Sequence, residues 1–579
     1  MTDNSLYLQW EKTNDPKVDL SNSIFKVKEK INYIENKSPS VWINKLYWGN
    51  CNNVLRSTVE SFKGEIKMIY IDPPYALDNT GFTKRIKTTN FDHRKVPGTT
   101  YEEYHHRKLW KKYLHSYLNE LRKNFLLMRQ LLQEDGVLFV HMDPQISHYV
   151  KLLLDSIFKN DNFQGEIVWN TACLNVAGFK TQANNWIRGS DVILVYSKSE
   201  KFEFNKIETN QNIWNDILSF NYVAAVRYET RYFNNQKPEN LMKRIIQLST
   251  DEGDLIADFY CGSGTTFIVA EKLKRSWLGG DISKDAIEKT KRGLLCVNKK
   301  KAYELKEYTK ECRPFEVYDC SKFITRDMNK NAFDLLIDFI IDTYDETAIA
   351  IDNYGNFQAR KNEELIYIGN PISPLTSTNI QESLDNLFQK NNRNELKEIT
   401  KLIFLGWEFE IGLDLFIRNQ IKSLSNSYEI ELKRISRDAI DHFKKGNPMK
   451  KDIVDLNDFK YEIELNKNSV EIEITDFEFN YKDFFRKTQT RKMENALDWI
   501  NYWGVDFYYK DKCFNNCYNS YRIKDGKNDN LDFTCSFKYE NEGEHKVLIR
   551  VIDVLGNDTN KLLIVNNKSD SREVRKIES

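Results

Sequence analysis

No stretch of this chain is long and apolar enough to suit a membrane span. A strong hydrophobic run, Leu335-Leu336-Ile337-Asp338-Phe339-Ile340-Ile341, is short and broken by an acid. The polar start Met1-Thr2-Asp3-Asn4-Ser5 is not a signal peptide, so a cytoplasmic protein with no membrane partner is expected. Cysteine is sparse: nine residues, an odd number scattered over 579 positions, read as free thiols rather than a disulfide framework. Cys513, Cys517 and Cys535 could supply three zinc ligands, but no fourth has the right spacing, and no metal is expected. Net charge is also missing, since 85 Lys and Arg balance 85 Asp and Glu. The length itself exceeds one core and implies about two to four domains.

Against that background two segments stand out. Asp72-Pro73-Pro74-Tyr75 follows the apolar run Met68-Ile69-Tyr70-Ile71, which reads as a strand entering a tight turn. Two prolines stiffen the turn and leave no local N–H to compete for the Pro73 carbonyl. An amino group on an aromatic ring is a poor nucleophile because its lone pair is delocalised into the ring. If the Asp72 carboxylate accepts one N–H and the Pro73 carbonyl the other, the nitrogen is drawn toward tetrahedral geometry with its lone pair aimed outward. Tyr75 offers a flat face on which an extruded base can stack. Any strand followed by such a turn could also be structural, and the pairing with the second segment favours chemistry.

That second segment is Asp258-Phe259-Tyr260-Cys261-Gly262-Ser263-Gly264-Thr265-Thr266, after Leu255-Ile256-Ala257. Gly262 and Gly264 flank Ser263, and Thr265 opens a run with helical spacing. The small residues let a ligand lie against backbone, and the helix start offers free N–H groups. The pattern lacks the longer glycine spacing of dinucleotide sites and the lysine of a phosphate loop, so a nucleoside with a carboxylate tail fits better than a triphosphate. Trp277-Leu278-Gly279-Gly280-Asp281 reads as the next strand. Asp281 is placed to bond ribose hydroxyls, with an N-cap for the helix near Ser283 as the structural alternative.

Together the two turns resemble those of the DNA amino-methyltransferases that use S-adenosylmethionine, in the permuted order where the catalytic turn comes first. Here Asp72 precedes Gly262 by 190 positions. The resemblance implies a Rossmann-like α/β methyltransferase domain with a mixed, mainly parallel sheet, S-adenosylmethionine as cofactor, and adenine N6 as the usual target of an Asp-led turn. It carries further matches from about Trp42 to Lys291. Lys45-Leu46-Tyr47-Trp48-Gly49-Asn50 resembles the strand whose acid contacts the cofactor adenine, with Asn50 in place of Asp. Glu134 to His141 resembles the turn and strand after the catalytic helix. Lys237-Pro238-Glu239-Asn240 resembles the start of the segment over the methionine end of the cofactor, and Tyr260 stands where the family has Phe. The expected partner is double-stranded DNA, with a restriction subunit or a second copy as further candidates.

Charge, once mapped, agrees. Between Lys84 and Asn124 eleven Lys or Arg face four acids, with His93, His105, His106 and His115 among them. Placed directly after the catalytic turn, this stretch suits a phosphate backbone; a solvated helix face is the bland alternative.

Along the chain, residues 1–40 read as a peripheral helix and linker, 41–300 as the catalytic domain, 301–460 as an accessory α/β region, and 461–579 as an immunoglobulin-like β-sandwich. Strands are expected near 67–72, 137–142, 165–170 and 191–197, and helices near 114–133 and 147–158. Residues 199–236 fall where the family inserts its sequence reader. At 38 residues the segment is small for that task, so positions beyond 300 are expected to share recognition. Ala332 to Tyr344 and Leu384 to Leu405 read as helices, and Asp414 with Glu431 and Lys433 faintly echoes a nuclease set. From Tyr461 the period shifts to two, with Trp499, Trp503 and Phe507 expected in the sandwich core. The functional expectation is a site-specific DNA adenine-N6 methyltransferase. A cytosine-N4 or RNA methyltransferase, or a silent DNA-binding subunit of the same fold, is the alternative.

Overall fold

The computed structural model describes residues 26–31, 42–74, 82–85, 100–103, 110–171, 189–205, 211–219, 236–295, 312–319 and, with short gaps, 330–576. The first half runs β1 (Lys26–Ile31), β2 (Asn44–Trp48), α1 (Cys51–Phe62), β3 (Ile66–Ile71), β4 (Phe82–Arg85), β5 (Thr100–Glu103), α2 (Trp110–Leu131) and β6 (Leu132–Met142). It continues with α3 (Pro144–Phe158), β7 (Phe163–Asn170), β8 (Ser190–Ser197), β9 (Ile213–Trp214), α4 (Glu239–Ser249), β10 (Leu255–Asp258), α5 (Thr265–Lys272), β11 (Ser276–Asp281), α6 (Lys284–Leu295) and β12 (Phe315–Asp319).

These strands build a sheet ordered β1-β12-β2-β11-β10-β3-β6-β8-β7-β9, extended beyond β1 by the strand Phe514–Asn516. From β12 to β6 every neighbour is parallel, whereas β8 runs antiparallel to β6 and β7. The sheet is mixed and mainly parallel. Its central strands are apolar on both sides because both faces are covered. Ile69 and Ile71 pack under α1, α2 and α3, and Met68 and Tyr70 pack under α4 and α5. Helix α3 starts earlier than the hydrophobic period alone shows, at Pro144, because Asp143 accepts from the Gln145 N–H at 2.8 Å and proline suits the first turn.

Two expectations are corrected. Within the supposed N-terminal linker, residues 26–31 form β1, a strand of the main sheet with Glu29 and Ile31 buried. The supposed helix from Leu384 to Leu405 is instead the end of a helix, Ser377–Lys390, and a strand, Lys401–Gly406. Leu402-Ile403-Phe404-Leu405 lies between two parallel neighbours, and a fully buried strand carries no alternation to distinguish it from a buried helix segment.

The accessory region has its own six-stranded sheet. There Glu431 pairs with Lys401 at 2.6 Å and Lys433 at 2.8 Å, while Asp414 lies outside the described residues. A three-stranded and a five-stranded sheet then share one core that buries Trp499, Trp503 and Phe507. Cys535 is buried in that core and Cys517 is exposed.

Charges join these units. Glu29 of β1 receives Lys291 of α6 at 2.7 Å and Arg550 of the sandwich at 3.0 Å, all three essentially removed from water. Lys291 also donates to the Tyr502 hydroxyl at 3.0 Å. At the other end of α6, Lys284 lies 3.4 Å from Glu408 of the accessory region, whose Arg434 donates to the Asp558 carbonyl at 3.2 Å. Burial works against an ionised Glu29, yet Lys291 and Arg550 hold its carboxyl below the usual range. Glu29→Ala leaves two buried cations without their shared partner and should lower unfolding free energy by about 3–5 kcal/mol. Hydrogen exchange should lose protection in β12 and in the sandwich strand Glu544–Asp553 together; loss in one alone contradicts this joint role.

Candidate active site

Parallel pairing brings the two turns together. Strands β3 and β10 are neighbours with Ile69 opposite Ala257, so Asp72, just past β3, and Asp258, the last residue of β10, emerge at one edge of the sheet. That carboxyl edge is where open α/β sheets bind ligands. Lys237, immediately before the start of α4, closes the gap. Its Nζ lies 2.5 Å from Asp72 Oδ2, and its carbonyl accepts from Thr265 Oγ1 at 3.1 Å. Thr265 Oγ1 in turn lies 3.2 Å from Ser263 Oγ. A continuous chain, Asp72 to Lys237 to Thr265 to Ser263, ties the proline turn to the glycine turn. Pro73 is buried and Pro74 half-buried, and Tyr75 lies outside the described residues.

The glycine turn is shaped by contacts that exclude side chains. Gly264 has φ +76°, and a Cβ there would come within 2.5 Å of Thr290 Oγ1. Gly279 on β11 has φ +146°, and its Cβ would sit 1.9 Å from the Asp258 carbonyl, so β10 and β11 approach only because the residue is glycine.

Asp258 works inside the turn: Oδ1 accepts from Tyr260 N–H at 3.0 Å and Oδ2 from Thr266 Oγ1 at 2.5 Å. Asp281 also holds backbone, accepting from Gly262 N–H at 3.0 Å and from Ser283 N–H at 2.9 Å. The second bond is a turn onto Ser283, which itself caps α6 by accepting from Ala286 N–H at 3.4 Å, so the capping alternative falls to Ser283; the first joins the end of β11 to the glycine turn. Asn50 caps α1, its Oδ1 accepting from Asn52 N–H at 2.9 Å. Its neighbour Gly49 donates to the Asp281 carbonyl at 3.0 Å, which sets Asn50 beside this edge.

Several residues here carry no motif. Asn124 of α2 donates to the Tyr260 hydroxyl at 3.1 Å and accepts from Asn52 at 2.9 Å, orienting the aromatic wall of the glycine turn. Its signal is a polar residue inside the apolar stripe of α2, between Leu121 and Met128. His141, opposite the end of β3, is fully buried with both ring nitrogens engaged: Nδ1 lies 2.9 Å from the Tyr70 hydroxyl and Nε2 2.9 Å from Asp191 Oδ2. With Asp191 ionised, the Nε2–H donates to it and Nδ1 accepts from Tyr70. This links the ends of β3, β6 and β8. About half of the basic stretch 84–124, and more than half of 199–236, lie outside the described residues.

Comparison with known proteins places this geometry. Residues 66–292 match the N6_N4_Mtase family, described as DNA methylase. The probable type III restriction-modification enzyme HindVI Mod subunit of Haemophilus influenzae is 22% identical over 382 residues, 41% of this chain and 48% of that protein. The type II methyltransferase M.EcaI of Enterobacter cloacae is 24% identical over 325 residues, 42% of this chain and 67% of that protein. This chain thus spans about half the length of the first relative and two thirds of the second. Among solved structures, the M1.HpyAVI complex with SAM is 16% identical with a TM-score of 0.31, covering 43% of this chain and 98% of that one.

Burial pushes the Asp258 carboxyl up to about 7, with the charges of Asp72 and Asp281 adding to the rise and the bonds from Thr266 and Tyr260 opposing it. An acid whose folded pKa exceeds its unfolded value binds its proton more tightly when folded, so stability falls as pH rises through that window and levels above it. Without cofactor, the melting temperature of wild type minus that of Asp258→Asn should therefore be larger at pH 5 than at pH 8. A pH-independent difference would show that Asp258 is ionised throughout.

Proposed function

We propose that residues 66–292, the segment matching DNA methylases, form the catalytic unit of a DNA methyltransferase that uses S-adenosylmethionine. The proposed target is adenine N6 of a flipped base in double-stranded DNA, and the proposed setting is the modification arm of a restriction-modification system. The convergence of Asp72 with the glycine turn, through Lys237 and Thr265, carries this reading.

The residues fit the cofactor. Gly264, at φ +76°, lets the turn pack directly on Thr290 with its backbone bare of a side chain, and Asp281 presents a carboxylate at the end of β11 for ribose hydroxyls. Tyr260 offers an aromatic wall beside the turn. Asn50, beside Asp281, is the candidate for the adenine end, and Lys237 for the methionine end. When bound, S-adenosylmethionine supplies a methyl group activated by positive sulfur.

The chain then has to aim a nitrogen. Asp72 accepts one N–H of the amino group and the Pro73 carbonyl the other, which localises the lone pair. Lys237 fixes the Asp72 carboxylate in place. Methyl transfer would form the carbon–nitrogen bond as the methyl–sulfur bond breaks and a neutral thioether leaves, and Asp72 would be placed to take the proton that the nitrogen then sheds. Orientation of this kind is worth effective molarities of about 10⁵ to 10⁸ M. Extrusion of the base costs roughly a few kcal/mol, which Tyr75 stacking would offset. The Haemophilus influenzae relative bears the name of a Mod subunit. A nuclease subunit or a second copy of the chain is the corresponding partner here, and the basic stretch 84–124 is the candidate phosphate contact.

Incubating the full chain with host genomic DNA and labelled S-adenosylmethionine should give N6-methyladenine on digestion to nucleosides. N4-methylcytosine instead would replace the base assignment while leaving the mechanism. Asp72→Ala should abolish incorporation, by about a thousandfold or more, while calorimetry still detects cofactor binding. Retained methylation in that variant would sink the proposed role of Asp72.

A further inference from the structure

Helix α2 carries a polar group that the site described so far does not use. The hydroxyl oxygen of Tyr117 is sealed from solvent and makes no hydrogen bond among the described residues. Its ring packs on the same apolar cluster as Tyr260. A hydroxyl that has given up water without gaining a partner disfavours the fold in which it sits. At the mouth of a ligand cleft, such a group is satisfied when the ligand arrives.

Topology puts it at the sheet edge where Asp72 emerges. Strand β3 leads through α2 into β6, which is parallel to β3. Helix α2 therefore runs back along the sheet, with its N-terminal half at the edge where Asp72 emerges. Tyr117 lies in that half. Asn124, seven residues on and on the same helix face, is the residue that holds the Tyr260 hydroxyl. Tyr117 packs on the same apolar cluster as Tyr260 and feels the charge of Asp72. Burial first, and the Asp72 carboxylate second, hold its proton in place, which makes it a donor at neutral pH.

Resting on the methyl-transfer reading, we propose that the Tyr117 hydroxyl donates a hydrogen bond to the ring nitrogen beside the exocyclic amino group of the flipped base. That edge presents two donors and then an acceptor: the amino N–H groups and N1 in adenine, or the amino N–H groups and N3 in cytosine. Asp72 and the Pro73 carbonyl meet the donors. The third position needs a donor, and the Lys237 ammonium is held by Asp72. Guanine and thymine carry a hydrogen on the corresponding ring nitrogen, so a fixed hydroxyl donor there excludes them. The inference holds for either amino base and adds a specificity-determining contact on α2.

The test uses the full chain and a synthetic duplex containing its mapped site. Tyr117→Phe keeps the ring and removes only the unpaired hydroxyl. Its melting temperature should be no lower than wild type, and its affinity for S-adenosylhomocysteine unchanged, while single-turnover methylation slows on the order of tenfold. A duplex whose target base carries C–H in place of the ring nitrogen should slow wild type by a similar factor and slow Tyr117→Phe no further. Full-speed methylation by Tyr117→Phe overturns the proposal, as does an undiminished penalty from the altered base in that variant. A loss of S-adenosylhomocysteine affinity would assign the hydroxyl to the cofactor and overturn it equally. If wild type methylates no DNA, the parent reading fails instead.

Discussion

The ion pair between Asp72 and Lys237 is the contact on which the candidate site depends. Parallel pairing of β3 with β10 brings both turns to one edge, but strand pairing alone leaves the turns free to splay. Lys237 is bonded at both ends, by its side chain to the proline turn and by its carbonyl to Thr265 of the glycine turn. The same residue balances charge. Asp72, Asp258 and Asp281 gather at one edge, and like charges held close resist joint ionisation. Asp258, buried beside the charges of Asp72 and Asp281, is pushed toward its protonated form. The pair therefore fixes the proline turn against the glycine turn from the residue that precedes the Pro238 cap of α4.

Turns whose mark lies within their own segment were legible in the sequence. Asp72-Pro73-Pro74 and the glycine segment each follow a doubly buried strand, and both the strand and the turn leave a local mark. The mainly parallel sheet was legible for the same reason, because strands covered on both faces read as continuous apolar runs. Residues that act through a distant partner were not. Asn124 looks like one polar residue in an amphipathic helix until Tyr260 is placed against it. Glu29 sits in a run of alternating charges that reads as solvated, and only the approach of Lys291 and Arg550, 262 and 521 positions away, makes it a core residue. Asn50 and Asp281 fall between these cases. Their positions at strand ends were right, but each also spends its side chain on backbone N–H groups that sequence spacing does not reveal.

The buried charges around α6 bear on how the C-terminal half is used. Isolated ion pairs sealed from water add little net stability relative to apolar side chains of the same size, because desolvation cancels most of the attraction. What they impose is geometry, since a buried cation a few ångströms from its carboxylate is heavily penalised. Helix α6 begins just after Asp281 and carries Lys284 toward Glu408 and Lys291 toward Glu29 and Arg550. The strand Phe514–Asn516 continues the main sheet beyond β1. Both accessory units are thus anchored on α6, the helix that follows Asp281, through contacts that tolerate little displacement. A surface on either unit then stands at a fixed offset from Asp72, which a flexibly tethered module would not keep.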